Sequence, residues 1–259
     1  MADAAPDPVR PTPRDWDGAT YDRIADPMTR WGADVLDRLP LTGDETVLDA
    51  GCGSGRVTAR LLERVPSGRV VALDASPSMV EVARKRLAPF GDRVAFLVAD
   101  LGQALPLEPA SVDAVLSTAT FHWVPDHDAL FAGLAAVLRP GGRLVAQCGG
   151  SGNIAAVRRA IAATGEAWDG PWTFATPDET RRRLEAAGFR DIEAWLHDEP
   201  TPIEPGEPLR EYLRTVVLGE HVARLGPERG SALVAAVADR LPDGVIDYVR
   251  LNILATRAP

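Results

Sequence analysis

The chain has 259 residues, 46% of them hydrophobic, which is enough to bury one substantial core with elements left over to cover it. Its 28 Lys and Arg stand against 37 Asp and Glu, and the resulting net charge of −9 repels nucleic acid, so neither RNA nor DNA is an expected partner. Two cysteines, Cys52 and Cys148, provide neither a disulfide framework nor a zinc spacing; no metal is expected, and a reducing cytoplasm fits.

Residues 1–14 contain Pro6, Pro8, Pro11 and Pro13 with mixed charge and no apolar run, and are expected to form a disordered tail rather than a signal peptide. No stretch approaches the ~20 apolar residues needed to cross a bilayer, so no membrane partner is expected. From Pro27 to Leu39, Met28, Trp31, Val35 and Leu39 share one helical stripe, with Tyr21 just upstream. Val47 to Ala50 then reads as a buried strand, followed by Gly51, Gly53 and Gly55 at alternate positions and a helical pattern at Val57, Leu61, Leu62 and Val65. Glycines at such a turn remove Cβ atoms and tolerate positive φ, so the backbone can approach a ligand closely. The dinucleotide spacing G-x-G-x-x-G fails because Arg56 stands where the third glycine belongs, and no Lys-Ser or Lys-Thr follows to make a phosphate loop.

A second strand, Arg69 to Asp74, ends in an acid about 20 residues beyond the turn, where a ribose-binding carboxylate belongs. Ser76-Pro77 opens the next helix, with Met79 inside it. The third strand, Val94 to Val98, is followed by Asp100, and the fourth, Val112 to Ser117, runs into Phe121-His122-Trp123. Asp126 can cap a helix carrying Leu130, Leu134, Val137 and Leu138, ended by Pro140-Gly141-Gly142, and Arg143 to Gln147 reads as a fifth strand. Beyond it the pattern predicts helices over Ile154–Trp168 and from Thr176 to Gly188, a strand over Asp191–Leu196, and a proline-rich stretch from Pro200 to Pro208. Helices follow around Leu209–Leu218 and Gly230–Leu241, and a last strand runs from Val245 to Ala255. Arg181-Arg182-Arg183 lies in one of those helices and reads as a solvated face.

The D-x-G-x-G-x-G order from Asp49 to Gly55, the acids at strand ends and the sequence LRPGG before the fifth strand resemble the class I S-adenosylmethionine-dependent methyltransferases. YDRIADPMTRW, FHWVPDHDALF and DYVRLNILATR look like the trans-aconitate methyltransferase group, in which the middle motif usually reads F-Q-W, so His122 is a departure. The resemblance implies an α/β fold with a Rossmann-like sheet, mostly parallel with the last strand antiparallel, helices on both faces and a helical lid. One methyltransferase domain would span 15–259, with a core at 40–150 and cap segments near 15–39, 151–175 and 205–241.

It further implies S-adenosyl-L-methionine as cofactor, bound by Tyr21, Asp49, Gly51, Gly53, Asp74, Ala75, Met79, Asp100, Leu101 and Ser117. In that family the acid at Asp100 accepts from the adenine amino group and the next N–H meets the ring; Met79 packs on adenine or in the core. Trp31, Trp123, Tyr212, Arg214 and Arg250 are candidates for a small-molecule acceptor, and His221 is a weaker one. His122 would be the catalytic residue, as orienting donor or as base. The expected activity is O-methylation of a carboxylic acid. O-, N- or C-methylation of a natural product with His122 as base, and a non-catalytic binding module, remain alternatives.

Overall fold

In this computed structural model residues 14–24 and 26–259 are described. The expected tail, apart from Arg14, and the side chain of Met28 lie outside the described residues. Two helices, α1 (Gly18–Ile24) and α2 (Asp26–Leu36), precede the sheet. The chain then runs through β1 (Thr46–Ala50), α3 (Arg56–Arg64), β2 (Arg69–Asp74), α4 (Pro77–Leu87), β3 (Val94–Val98), β4 (Val112–Thr118), α5 (His127–Val137) and β5 (Leu138–Gly149), with a helix between successive strands except from β3 to β4. The remainder runs α6 (Ala155–Ala162), α7 (Pro177–Ala186), β6 (Phe189–Pro202), α8 (Glu207–Tyr212), α9 (Gly219–Leu225), α10 (Pro227–Ala238) and β7 (Val245–Arg257). The sheet order is β3-β2-β1-β4-β5-β7-β6. The first five strands pair in parallel, and β7 is antiparallel to both β5 and β6.

Alternation along the strands builds a core on each face. On β1, Leu48 faces a cluster completed by Leu130, Phe131 and Leu134 of α5, while Val47 faces Leu61 and Leu62 of α3 and Val35 of α2. A third cluster lies in a helical layer, where Val157 of α6 and Leu209 of α8 meet Val234 and Val237 of α10 and Tyr248 of β7. Polar ends fix where helices begin. The Ser76 hydroxyl accepts from Met79 N–H, Asp126 accepts from Asp128 and Ala129 N–H, and Thr176 with Glu179 forms a capping box.

The helix expected over Ile154–Trp168 stops at Ala162, because Gly165 takes φ +85° and donates its N–H back to Ala162. The chain after it is irregular and carries Trp172 and Phe174. β6 is longer than the expected Asp191–Leu196 and includes Pro200 and Pro202, which an edge strand tolerates since no ladder donor is required on its outer side. The stretch expected as one helix over Leu209–Leu218 is α8 followed by a π-helical turn at Leu213–Val217. Among the described residues no helix is long and apolar enough to cross a membrane.

Candidate active site

Strand order reverses between β1 and β4, so the crossovers on either side leave in opposite directions and open a crevice at the carboxyl ends. The glycine turn after β1 lines it. Gly51, Gly53 and Gly55 have φ of +90°, +53° and +80°, a region that side chains rarely adopt. A Cβ on Gly51 would lie 2.1 Å from the Thr120 hydroxyl, whereas one on Gly53 would meet nothing within 4 Å. Gly53 therefore presents bare backbone to a cavity of about 400 Å³.

Asp74 fixes the turn to the next helix: Oδ2 accepts from Gly53 N–H at 2.9 Å and Oδ1 from Ser76 N–H at 2.9 Å. Its carboxylate borders the cavity with lone pairs to spare, and burial raises its pKa. At the end of the neighbouring strand, Asp100 accepts from Gly102 N–H at 2.8 Å and borders the same cavity, as do Ala75, Met79 and Leu101. Two carboxylates on adjacent strand ends, an uncovered glycine and apolar Met79 and Leu101 suit a ribose diol and a flat base.

A second, smaller cavity of about 40 Å³ adjoins the first and shares Trp16, Tyr21, Ala119 and Trp123 with it. Arg250, from β7, lines it and is 2% exposed. Arg250 Nε donates to Gln147 Oε1 at 3.2 Å, Nη2 is buried without a partner, and no carboxylate of the described residues pairs with it. Its guanidinium carbon sits 4.6 Å from the Trp31 ring centre, and burial lowers its pKa while leaving a group that does not deprotonate in proteins. Trp31, also lining this cavity, leaves its indole N–H buried and unpartnered. Asn153 Oδ1 accepts from Val249 N–H, so its donor end is the part left for a ligand.

His122 completes the set in a short 3-10 turn after β4. Gly149 N–H donates to His122 Nδ1 at 3.2 Å, which makes Nδ1 the acceptor and puts the proton of the neutral ring on Nε2. Burial, and then the nearby Arg250 charge, hold its pKa well below the ordinary histidine value. The ring is thus a neutral donor at physiological pH. Backbone strain gathers here too: Ala119 and Ile154, both lining the small cavity, have φ of +57° and +48°.

The segment before β1 is tied across this site. Asp15 Oδ1 accepts from the Ser76 hydroxyl and Ser78 N–H. Asp22, on α1, accepts from Ser54 Oγ at 2.7 Å, Arg56 Nε at 2.8 Å and Arg86 Nη2 at 2.7 Å. Trp16 packs edge-on to both Tyr21 and Trp123.

Several expected residues lie elsewhere. Asp49 sits beneath the turn, outside both linings, with Oδ2 accepting from Thr58 and Oδ1 unpartnered; burial pushes its pKa up to about 7. Ser117 donates to Ala50 O at 2.6 Å and ties β4 to β1 rather than facing the cavity. Tyr212 is buried against Tyr248, hydroxyl to hydroxyl at 2.7 Å, and Arg214 lies out on the π-helical turn, 3.9 Å from Glu207. His221 is buried between Trp168 and Trp172. Trp16, Asn153, Trp172 and Phe174 line the small cavity without having been singled out from sequence. Two aromatics spaced by one residue after Gly170-Pro171 were the available signal for the last pair.

A methyltransferase domain family model matches residues 47–142. The chain is 37% identical over 187 residues to the trans-aconitate 2-methyltransferase of Methylobacterium radiotolerans, covering 69% of this chain and 67% of the relative. Over 238 residues it is 31% identical to that of Rhizobium etli, covering 87% and 89%. The chain belongs to the class I S-adenosylmethionine-dependent methyltransferases.

Solved folds agree. Phosphoethanolamine N-methyltransferase 2 of Haemonchus contortus, in complex with S-adenosyl-L-methionine, superposes with a TM-score of 0.64 at 20% identity, over 93% of this chain and 57% of its own. YcgJ of Bacillus subtilis gives 0.64 at 14% identity, over 89% and 99%. This methyltransferase has the Rossmann-like sheet of the class, and its cofactor is S-adenosyl-L-methionine.

Proposed function

We propose that this methyltransferase esterifies a small carboxylic acid, binding S-adenosylmethionine in the larger cavity and the acid in the smaller. Buried Arg250, a cation with an unpartnered nitrogen and, among the described residues, no carboxylate beside it, carries this reading. Leaving such a charge uncompensated is costly, and an acid supplies the missing counter-charge. The names of the relatives, trans-aconitate 2-methyltransferases, support the same acceptor class.

Asp74 would hold the ribose hydroxyls and Asp100 the base, with Met79 and Leu101 against its faces. Bound S-adenosylmethionine supplies a methyl group on sulfonium; transfer forms the O–CH3 bond, returns the S–CH3 electron pair to sulfur, and leaves a neutral ester and thioether. The Trp16, Tyr21 and Trp123 rings at the junction of the two cavities exclude water and present faces that suit a positive centre. Arg250, the Nε2–H of His122 and the Asn153 amide orient the acid. A carboxylate, with a reference pKa near ~4, is ionised at neutral pH and needs no base. Segments 15–39, 151–175 and 205–241 would form the cap over this junction.

The alternative, a hydroxyl, amine or carbon acceptor with His122 as base, meets the Gly149 hydrogen bond that leaves the proton on Nε2. An acceptor panel with labelled cofactor tests the choice. Base-labile methyl esters are expected; products methylated only at carbon or nitrogen would refute the proposal.

A further inference from the structure

We propose that the acceptor bears a single carboxylate on an apolar body, and that this enzyme discriminates against di- and tricarboxylates. This deepens the carboxylate reading above and rests on it. The small cavity is walled chiefly by rings. Phe174 stacks on Trp172 with centroids 5.8 Å apart and planes 9° apart, and on His122 at 5.9 Å and 28°. Such faces exclude water and offer no hydrogen bond to a second or third carboxylate.

Positive charge is limited in the same way. Among the described residues, two arginines line the two cavities, Arg250 and Arg14. Arg14 lines the larger cavity rather than the smaller; it lies over the Trp16 ring at 4.4 Å with the charges of Glu220 and Asp17 nearby, and its Nη1 is buried without a hydrogen-bond partner. Asp74, Asp100 and Glu220 border the larger cavity, so an acid group turned that way would meet like charge. One carboxylate, with two oxygens, uses the donors that Arg250, Trp31, His122 and Asn153 provide. Each additional one would be desolvated without a counter-charge. At about 40 Å³ the small cavity seats the carboxylate itself, and the apolar body extends along the rings shared with the larger cavity or displaces the chain carrying Trp172 and Phe174.

The test compares acids on one wild-type protein, so it does not depend on a variant folding. The S-adenosylhomocysteine complex is titrated with crotonate, benzoate, trans-aconitate and a trans-aconitate dimethyl ester, read by tryptophan fluorescence; kcat/KM is measured for each with labelled cofactor. Crotonate or benzoate should bind at least ~100-fold more tightly than trans-aconitate, with kcat/KM in the same order. The dimethyl ester, with one free carboxylate on the same skeleton, should bind at least ~10-fold better than the triacid. Tighter binding of trans-aconitate than of every monoacid would overturn this proposal and leave the carboxylate reading standing. Failure of every acid to bind, or methylation of phenols or amines alone, would overturn both.

Discussion

The two cavities meet at four residues and are built on opposite principles. The larger one is floored by strand ends, where its polar groups are backbone amides and carboxylates held by short local connections, as where Asp74 bonds Gly53 and Ser76, with Arg14, Trp16 and Glu220 closing it from outside the sheet. The smaller one is made of rings drawn from residues 16 to 248, with one buried cation reached through β7. The first has the chemistry of a nucleoside, fixed by fold. The second has the chemistry of an anion in an apolar box, fixed by what the cap brings down on it. A class can therefore keep its cofactor while changing its acceptor, because the two are specified by different parts of the chain.

Separating the two cavities experimentally should show effects of graded size. Arg250→Met should lower kcat/KM for the acid about 1000-fold, roughly 4 kcal/mol, while S-adenosylhomocysteine affinity stays within about twofold; calorimetry alongside steady-state kinetics checks both. An equal loss of nucleotide affinity would mean the cavities are not independent.

Beneath the glycine turn, burial pushes the Asp49 carboxyl up to about 7. Between the usual carboxylate range and about 7 the folded state keeps a proton that the unfolded chain has lost. Stability therefore falls as pH rises through that window, and the penalty is complete above it. Asp49→Asn should remove this slope and be about 2 kcal/mol more stable than wild type at pH 8, with a smaller gain at pH 5, by urea unfolding. An equal gain at both pH values would contradict the assignment.

His122→Gln should cost about tenfold in kcat/KM, uniformly from pH 6 to 9, since the wild-type ring is a neutral donor throughout. A wild-type profile with a limb near pH 6.5 that the variant abolishes would restore the base role. The smallest effect is expected from Asp22→Ala, which releases α1 from Ser54, Arg56 and Arg86 and should weaken nucleotide binding by about 1 kcal/mol.

The contrast also explains what could be read before folding. The strand limits at Arg69–Asp74 and Val94–Val98 agree with the structure to the residue, because apolar runs ended by acids leave little freedom in register. Asp74, Met79 and Asp100 border the cavity for the same reason: a strand end or first helical turn is placed by local pattern alone. Ser117 departs because its hydroxyl is spent on Ala50 across the sheet, a choice that periodicity does not encode.

On the acceptor side, Arg250 was one weak candidate among several. Its significance depends on Gln147, Trp31 and His122, which only pairing of β7 with β5 brings near. Trp172 and Phe174 lie beyond the helix expected to end at Trp168, in an irregular stretch that helical or strand periodicity does not place.

The most direct test of separate duties is a double titration by calorimetry. Wild type, Asp74→Ala and Arg250→Met are each titrated with S-adenosylhomocysteine, and then, at saturating nucleotide, with benzoate. Asp74→Ala should weaken the nucleotide about 100-fold, roughly 3 kcal/mol, and Arg250→Met should abolish only the acid. Nucleotide affinity retained by Asp74→Ala, or acid affinity retained by Arg250→Met, would contradict the division on which the account stands.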